Sequence, residues 1–325
     1  MKARVLYVVS RFPKVTETFV VNEWAALTPR FDMYFAALIH TDEPALHPAT
    51  RTALREAWFV PRAAPSTFRT HLTWLRRAPR RYAGALRDVV RGARDVSPAE
   101  LVKSLVAFHQ AARLALLADD AGIDHVHAHF ANHPATAAWV VHRLTGIPFS
   151  FTAHANDLFR NPLQLERKVR AARFVVAISD YNRRILEHRC PGATVHVVHC
   201  GVDTNRFTVV AQPDGGRNAR RHVLCVAGIE PKKGHADLVA AFATIASTFD
   251  DVDLVLIGDG PERDNVARQV RAAGIGARVE FLGARSTDDV RTELARADLF
   301  VLPSVRDETG RMDGIPVALM EAMAS

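Results

Sequence analysis

The chain has 325 residues, 48% of them hydrophobic, which is a length typical of two domains with separate cores. The net charge of +7 favours an acidic partner, and no apolar run of about 18 residues marks a membrane span. The first apolar stretch is interrupted too early for a signal peptide, and three cysteines without CxxC spacing argue against disulfides or a thiolate metal site. We therefore expect a cytoplasmic protein.

Short apolar segments alternate with helical segments, a pattern typical of parallel sheets wound with helices. In the first part of the chain the predicted strands are 5–9, 33–39, 125–130, 149–153, 174–178 and 195–199. Ser97 to Glu100 has the pattern of a capping box and predicts a helix from Pro98 to about Gly122, and Ser179 predicts another helix start. Residues 1–207 are thus predicted to form one doubly wound, Rossmann-like domain.

A basic helical insertion at 62–94 interrupts this domain. It holds nine arginines and one acid, and apolar residues recur at helical spacing on either side of Pro79, namely Phe68, Leu72, Leu75, Tyr82, Leu86 and Val89. Two basic amphipathic helices of this kind suit an anionic membrane surface. A solvated arginine face and nucleic acid binding are the alternatives; we expect no nucleic acid, because no recognition motif accompanies the charge.

Histidines follow two neighbouring predicted strands. His125, His127 and His129 alternate and therefore share one face, a spacing that suits zinc. A metal site needs further ligands, for which His154 and Asp157 are the available candidates, so we expect hydrogen-bonded imidazoles at a sheet edge and no metal. His154 directly follows the strand 149–153, where a neutral imidazole can bond a sugar hydroxyl or a developing charge.

Residues 208–221 are rich in Pro, Gly and charge and are typical of an interdomain linker. A second alternating series follows, with strands 223–227, 254–257, 279–282 and 299–302 and helices near 235–247, 261–273 and 286–296. Residues 222–325 are therefore predicted to form a second Rossmann-like domain. Because ligands of such sheets bind at the carboxyl ends of the strands, we expect a cleft at which the two domains face each other.

Two turns of the second domain carry candidate ligand groups. Lys233, next to Lys232, lies where the first strand turns into a helix, and an ammonium there can neutralise a diphosphate leaving group. A surface lysine pair is the alternative. After the next strand, Gly258 opens a turn that lets the backbone approach a ligand closely.

The segment 303–325 sets two carboxylates across the start of a helix. Gly314, Ile315 and Pro316 are predicted to open this helix, with Pro316 in its first turn, and the free N–H groups at 317–319 attract phosphate. Asp313 can accept hydrogen bonds from hydroxyls and Glu321 can reach a ribose diol, although an ordinary capped helix is the alternative. The residues predicted to bind a sugar nucleotide, the donor of a sugar-transfer reaction, are Lys233, Asp313, Gly314, Ile315, Pro316, Val317 and Glu321.

With these residues in place, the chain resembles the retaining GT-B glycosyltransferases of family four, and among them bacterial transferases of the exopolysaccharide and colanic-acid type. The resemblance spans essentially the whole chain. It rests on RFPKVTETF (11–19), HAHF (127–130), TAH (152–154), HCGVDTNRF (199–207), KKGH (232–235), GDGP (258–261), FLG (281–283) and GIPVALMEAMA (314–324).

The resemblance also implies roles for individual residues. Lys233 would contact the donor diphosphate, and Asp313 and Glu321 would hold the sugar and the ribose. His154 would line the reacting face, and the backbone of 279–283 would lie near the nucleobase. We predict His154 and Asp313 as the catalytic residues, with His129 as a further candidate.

Three positions depart from the family pattern. The first of its paired carboxylates is usually Glu, whereas this chain has Asp313, with Glu308 as a candidate substitute. A common Arg is replaced by Gly228, so Lys232 or a residue of the first domain is expected to complete the diphosphate clamp. Relatives continue beyond the position of Ser325, and we therefore expect a truncated sequence with an incomplete second domain, which as a fragment would be inactive.

The sequence as a whole predicts transfer of a hexose from a nucleotide diphosphate sugar to a saccharide acceptor, lipid-linked, with retention and without a metal or other cofactor. The enzyme would be cytoplasmic and peripheral on the inner face of the cell membrane. Two alternatives remain: a GT-B sugar-nucleotide epimerase, which shares the architecture but not the basic insertion, and a non-catalytic carbohydrate- or membrane-binding module.

Overall fold

The chain folds into two compact units, Met1–His199 and Cys200–Ser325, here called the first and second unit. The computed structural model describes residues 2–44, 47–62, 65–94, 97–154, 156–159, 164–208, 220–308, 310 and 312–325. Most of the predicted linker therefore lies outside the described residues. The predicted α/β class is confirmed, because each unit is a parallel sheet wound with helices.

A seven-stranded parallel sheet forms the centre of the first unit, in the order β3-β2-β1-β4-β5-β6-β7. Its strands are β1 (Arg4–Phe12), β2 (Asp32–His40), β3 (Trp58–Phe59), β4 (His125–His129), β5 (Phe149–Ala153), β6 (Phe174–Ala177) and β7 (Val195–Val197). The helices are α1 (Thr18–Leu27), α2 (Pro48–Glu56), α3 (Pro65–Arg77), α4 (Pro79–Arg94), α5 (Pro98–Asp120), α6 (His133–Thr145), α7 (Asn156–Phe159), α8 (Leu165–Ala171) and α9 (Asp180–Arg189).

Apolar residues cover both faces of this sheet, as expected for parallel strands. On β1, Leu6 and Val8 belong to one buried cluster, with α4, α5 and α6. Their neighbours Tyr7 and Val9 belong to another cluster, with α1 and α2. The continuous apolar run of β1 is thus explained by burial on two sides.

The strand bounds differ from the prediction at their ends. β4 stops at His129 because Phe130 has a φ of 76° and leaves the extended conformation. β3 has only two residues and gives no periodic signal. At the start of α5, Ser97 accepts from the N–H of Glu100, but the Glu100 carboxylate binds Lys103 instead of returning to the cap, so only half of the expected capping box forms.

The basic insertion forms two helices that break at Pro79, as predicted, but they pack differently from the expected pattern. Tyr82 and Val89 of α4 are buried in the core. On α3 the buried residue is Trp74, whose indole N–H donates to the carbonyl oxygen of Ala112 at 2.8 Å. Leu72 and Leu75 are about half exposed. The apolar face of α4 therefore supports the fold and is not free to enter a membrane; the side chain of Phe68 lies outside the described residues.

One helix in the described part of the chain, α5, has the length and hydropathy of a membrane-crossing segment. More than half of its most apolar window is buried inside the unit, as in the core helix of a water-soluble domain.

The second unit has a four-stranded parallel sheet in the order β10-β9-β8-β11. Its strands are β8 (Arg221–Val226), β9 (Val252–Ile257), β10 (Val279–Gly283) and β11 (Leu299–Phe300), and its helices are α10 (His235–Thr248), α11 (Arg263–Ala272), α12 (Thr287–Arg296) and α13 (Val317–Ala324). Phe207 packs against Leu224 and Val255 of this unit, whereas the sequence prediction assigns 200–207 to the first domain.

The close contact between the loops after β8 and β11 gives a stability prediction. Gly234 and Gly274 have φ of 67° and 68°, but only at Gly234 would a Cβ overlap another group, the carbonyl of Pro303. We expect Gly274→Ala to cost about 1 kcal/mol from backbone strain, and Gly234→Ala to cost more because the loops must separate. Amide hydrogen exchange in β8 and β9 measures both losses, and equal losses would contradict the steric argument.

Candidate functional site

Two lysines and a carboxylate meet at the carboxyl edge of the second sheet. A short helical turn, Pro231–Lys233, follows β8 and presents Lys232 and Lys233. The N–H of Val305 donates to the carbonyl oxygen of Lys232 at 2.9 Å, so the loop after β11 lies against this turn. Strand order brings the two loops together, because β11 is the direct neighbour of β8.

Asp313 lies between the predicted diphosphate ligands. Its carboxylate accepts from the Lys233 ammonium at 2.6 Å and from the Ser304 hydroxyl at 2.6 Å, and Lys232 lies at 3.3 Å. Burial raises the pKa of Asp313, but the hydrogen bonds from Lys233 and Ser304 outweigh it and lower the pKa below its usual value. The carboxylate is thus ionised and neutralises one of the two ammonium charges.

The other carboxylates near the site differ from Asp313. Glu321 on α13 is largely buried, which raises its pKa, while the positive charge of Arg206 opposes the shift. Within the described part of the chain its carboxylate has no hydrogen-bond donor, so it is available to a ligand. Glu308 is exposed and forms no ion pair with a described residue. Asp313 therefore occupies the position beside the lysines, and Glu308 does not.

The start of α13 departs in detail from the prediction. The helix begins at Val317 with Pro316 as its N-cap residue, preceded by Gly314 and Ile315 in the connecting loop. The N–H of Leu319 donates to the carbonyl oxygen of Pro316 at 3.1 Å. The prediction that the N–H groups of residues 317–319 are all free is therefore wrong at Leu319, whose N–H is already hydrogen-bonded.

Local packing explains why residue 258 is a glycine, without reference to a ligand. A Cβ at this position would overlap the carbonyl group of Ala227 at the end of β8. The turn after β9 is further tied to the loop after β8 by the N–H of Ile229, which donates to the carbonyl oxygen of Asp259 at 2.9 Å. The glycine thus permits close packing of two loops of the site.

In the first unit, the histidines of β4 bond the hydroxyls of β5. Nε2 of His125 and Nδ1 of His127 lie 2.7 and 2.8 Å from the Ser150 hydroxyl, and Nε2 of His127 lies 2.9 Å from the Thr152 hydroxyl. Burial lowers the pKa of His125 to about 4 and that of His127 to about 3. Both imidazoles are neutral at physiological pH, and their contacts agree with the hydrogen-bonded interpretation of the sequence.

His127 and His129 also form, with Glu23, a group that could hold a cation. One ligand atom from each lies within 4.8 Å of the others. Binding a metal here would break a hydrogen bond of His127, because hydroxyls already occupy both of its ring nitrogens. The expectation of no metal stays a prediction.

His154 lies at the end of β5 inside an aromatic surround. The rings of Phe19 and Phe130 are centred 4.8 and 4.5 Å from its imidazole, and Nδ1 of His129 lies 3.2 Å from its Nε2. Burial lowers its pKa, and it remains only 7% exposed. His154 is therefore a neutral, well-positioned imidazole with limited access from solvent.

Asp157 holds the two loops that carry this imidazole. Its carboxylate accepts from the backbone N–H of Ala131 at 2.6 Å and from that of His154 at 3.1 Å. The loops after β4 and β5 are thereby fixed to each other. Asp157 was a candidate metal ligand in the sequence, but its hydrogen bonds give it this positioning role.

Sequence reasoning missed two polar residues of this site. Glu23 lies one helical turn after Phe19 on α1, and its carboxylate accepts from the Tyr7 hydroxyl at 2.6 Å. Lys168 of α8 is fully buried, and its ammonium group donates to the carbonyl oxygen of Ala131. Burial lowers the pKa of Lys168 to about 7. The spacing of Phe19 and Glu23 could have indicated the first; no local pattern marks the second.

Two models of known families match the chain. Glycosyl transferases group 1 matches residues 212–325, and Glycosyltransferase Family 4 matches residues 76–206. A solved structure, Anabaena HepE in complex with UDP and glucose, has a TM-score of 0.67 at 16% identity and covers 99% of this chain and 78% of that chain. This likeness and the two Rossmann-like units show the GT-B fold. Both matched models and the curated relatives described next support the resemblance to glycosyltransferases of family four that the sequence indicated.

Two curated relatives are similar over part of the chain. A GDP-mannose-dependent alpha-(1-6)-phosphatidylinositol monomannoside mannosyltransferase of Mycobacterium tuberculosis is 29% identical over 46% of this chain and 41% of its own length. The putative colanic acid biosynthesis glycosyltransferase WcaL of Escherichia coli is 30% identical over 50% of this chain and 39% of its own. The chain thus matches about two fifths of the length of these relatives.

The neutral histidines predict acid sensitivity of the first unit. The folded pKa of His127 is about 3, below the unfolded value near 6.5, so its stabilising contribution is complete above pH 6.5 and is lost as pH falls toward 3. Between pH 6 and 5, we expect His127→Gln to reduce the slope of unfolding free energy by about 1.2 kcal/mol per pH unit.

Tryptophan fluorescence can follow this unfolding, because all four tryptophans, Trp24, Trp58, Trp74 and Trp139, lie in the first unit. His188→Gln, which replaces an exposed imidazole, is the control for residue type. An unchanged slope in His127→Gln would show that His127 takes up its proton in the folded state.

Proposed function

We propose that the protein transfers a hexose from a nucleoside diphosphate sugar to a saccharide acceptor, with retention of anomeric configuration and without a metal. The observation that carries this proposal is the cluster of Lys232, Lys233 and Asp313 at the carboxyl edge of the second sheet. The matches to two glycosyltransferase family models support the reaction class. The relatives named above act on a GDP-mannose donor or in colanic acid biosynthesis by their descriptions, and HepE binds UDP and glucose.

The chemistry of the cluster suits a diphosphate leaving group. When the glycosidic bond to the donor breaks, negative charge grows on the diphosphate, and a fixed ammonium stabilises that charge more than it stabilises the bound donor. Asp313 would then turn to a sugar hydroxyl, and the carboxylate of Glu321, which has no hydrogen-bond donor among the described residues, would accept from the ribose hydroxyls. His154 would bond a hydroxyl at the reacting centre as a neutral imidazole.

A screen of nucleoside diphosphate sugars against the purified protein tests the proposal. We expect hydrolysis or transfer with one donor class and retention at the anomeric carbon, read by NMR. Inversion at a ring carbon of the donor without any acceptor would favour the epimerase. Failure to bind any nucleotide would favour a non-catalytic module.

The ion pair in the site predicts opposite effects of two substitutions on product binding. In the ligand-free state the Asp313 carboxylate is paired with the Lys233 ammonium, and a diphosphate must displace this carboxylate to bind there. Asp313→Asn should therefore tighten UDP or GDP binding by roughly tenfold while lowering turnover, whereas Lys233→Ala should weaken binding. Lys233→Arg should restore it incompletely, because its planar fork replaces a compact ammonium.

Calorimetric titration with UDP and GDP measures these affinities. Glu308→Gln is the matched control, since it removes an exposed carboxylate that has no described partner. Wild-type affinity in both Asp313→Asn and Lys233→Ala would place the phosphates elsewhere.

We further propose that the enzyme is cytoplasmic and peripheral on the inner face of the membrane, where its acceptor is lipid-linked. Supporting observations lie on α3 and at its turn into α4, where Leu72 and Leu75 are about half exposed. A cavity of about 420 Å³ at this turn is lined by Arg77, Arg80 and Arg81, and Asp119 is the acidic residue in its lining. Arg77 pairs with Asp119 at 2.6 Å, which leaves a net positive charge.

Vesicle binding tests this surface. Replacing Arg76, Arg77, Arg80 and Arg81 with Gln should reduce binding to phosphatidylglycerol vesicles in a salt-dependent way, because each basic residue contributes about 1 kcal/mol near an anionic surface. The matched control replaces the exposed Arg268, Arg271, Arg285 and Arg291 of the second unit. Equal vesicle binding in both variants would show that the arginines of the insertion form a solvated surface and do not bind the membrane. Tight binding of duplex DNA would contradict the expectation of no nucleic acid partner.

A further inference from the structure

A row of polar groups runs behind the imidazole of His154. The Tyr7 hydroxyl donates to Oε1 of Glu23 at 2.6 Å, and the same oxygen lies 3.7 Å from Nε2 of His129. Nδ1 of His129 then lies 3.2 Å from Nε2 of His154. The four side chains come from β1, α1, β4 and the end of β5, so only the folded unit brings them together.

The carboxylate at one end restricts where protons can lie. A neutral imidazole has one N–H and one acceptor nitrogen, whereas an ionised carboxylate only accepts. Nε2 of His129 is buried and has no hydrogen-bond partner among the described residues, and the Glu23 carboxylate faces it at 3.7 Å. A proton on Nε2 is attracted by this negative charge, while a lone pair there would be repelled.

The tautomer of His154 follows from that of His129. With its proton on Nε2, His129 presents Nδ1 as an acceptor, and the 3.2 Å contact requires His154 to donate from Nε2. Nδ1 of His154 is then left as an acceptor. Asp157 also acts on His154 through its negative charge, but its carboxylate binds backbone N–H groups and makes no hydrogen bond to the ring.

We propose that Glu23 sets the tautomer of His154 through His129 and so makes Nδ1 of His154 a hydrogen-bond acceptor for a hydroxyl group. Glu23 and His129 are positioning residues, since they act through His154. The use of that acceptor for a sugar hydroxyl rests on the proposed function; the tautomers themselves do not.

Nitrogen NMR of protein labelled in its histidine rings tests the tautomers directly. The signals are assigned by comparison with His129→Gln and His154→Gln. We expect wild-type His129 and His154 to carry their protons on Nε2. In Glu23→Gln, whose amide can donate to Nε2 of His129, we expect both protons to move to Nδ1 in a substantial fraction of molecules.

Two further variants separate the charge of Glu23 from its packing. Tyr7→Phe removes the hydroxyl but keeps the carboxylate, so both tautomers should stay on Nε2. Glu56→Gln removes an exposed carboxylate of α2 and should also leave them unchanged. Tautomers that do not respond to Glu23→Gln, or a wild-type His154 with its proton on Nδ1, would overturn the proposal. So would metal-shifted signals of His127 and His129 on adding Zn²⁺ alone, since the group would then be a cation site.

Kinetics distinguish this inference from the proposed function. In the active enzyme, Glu23→Gln should lower kcat roughly tenfold while changing the donor KM little, and Tyr7→Phe should retain most of kcat. Expected tautomers in a protein without transferase activity would refute the proposed function and leave the tautomer assignment intact. Wild-type kcat in Glu23→Gln, together with moved protons, would show that the acceptor nitrogen does not serve the reaction.

Discussion

The pairing of buried polar groups determines the geometry of both candidate sites. Removing a polar side chain from water costs free energy unless another protein group forms a hydrogen bond with it. In the first unit, the Asp157 carboxylate accepts hydrogen bonds from backbone N–H groups of the loops after β4 and β5. These hydrogen bonds fix the position of His154. In the second unit, the Asp313 carboxylate accepts hydrogen bonds from Lys233 and Ser304. The groups that would face a ligand are therefore held in place before a ligand binds, and at the lysines a diphosphate must displace the Asp313 carboxylate.

The sequence predicts the fold well because the signals of a wound parallel sheet are local. Apolar runs of β1, β4 and β5 and the caps of the following helices can each be recognised within a short window. The general rule that ligand groups collect at the carboxyl ends of strands then placed Lys233 and Asp313 at one edge. It could not show that these two residues, 80 positions apart, bind each other, since this depends on β11 lying beside β8.

The residues that the sequence did not reveal are those whose role depends on packing between distant elements. Glu23 has an ordinary position on α1, and it matters only because this helix brings it near the histidines of β4. On α3, both Trp74 and the pair Leu72 and Leu75 are apolar, so helical periodicity alone cannot decide which face is buried. The indole N–H of Trp74 finds a backbone carbonyl on α5, and this contact selects its face.

The histidines of the first unit and the lysine cluster of the second unit differ in their electrostatics. Burial keeps the imidazoles of the first unit uncharged, so they offer hydrogen bonds but little attraction for an anion. In the second unit, Lys232 and Lys233 place two ammonium groups against the single ionised carboxylate of Asp313, so this cluster keeps a net positive charge. A diphosphate carries more negative charge than the carboxylate it would replace, so exchange at the lysines is favoured by Coulomb attraction. Under the proposed function, the anionic part of the donor therefore belongs at Lys232 and Lys233 of the second unit.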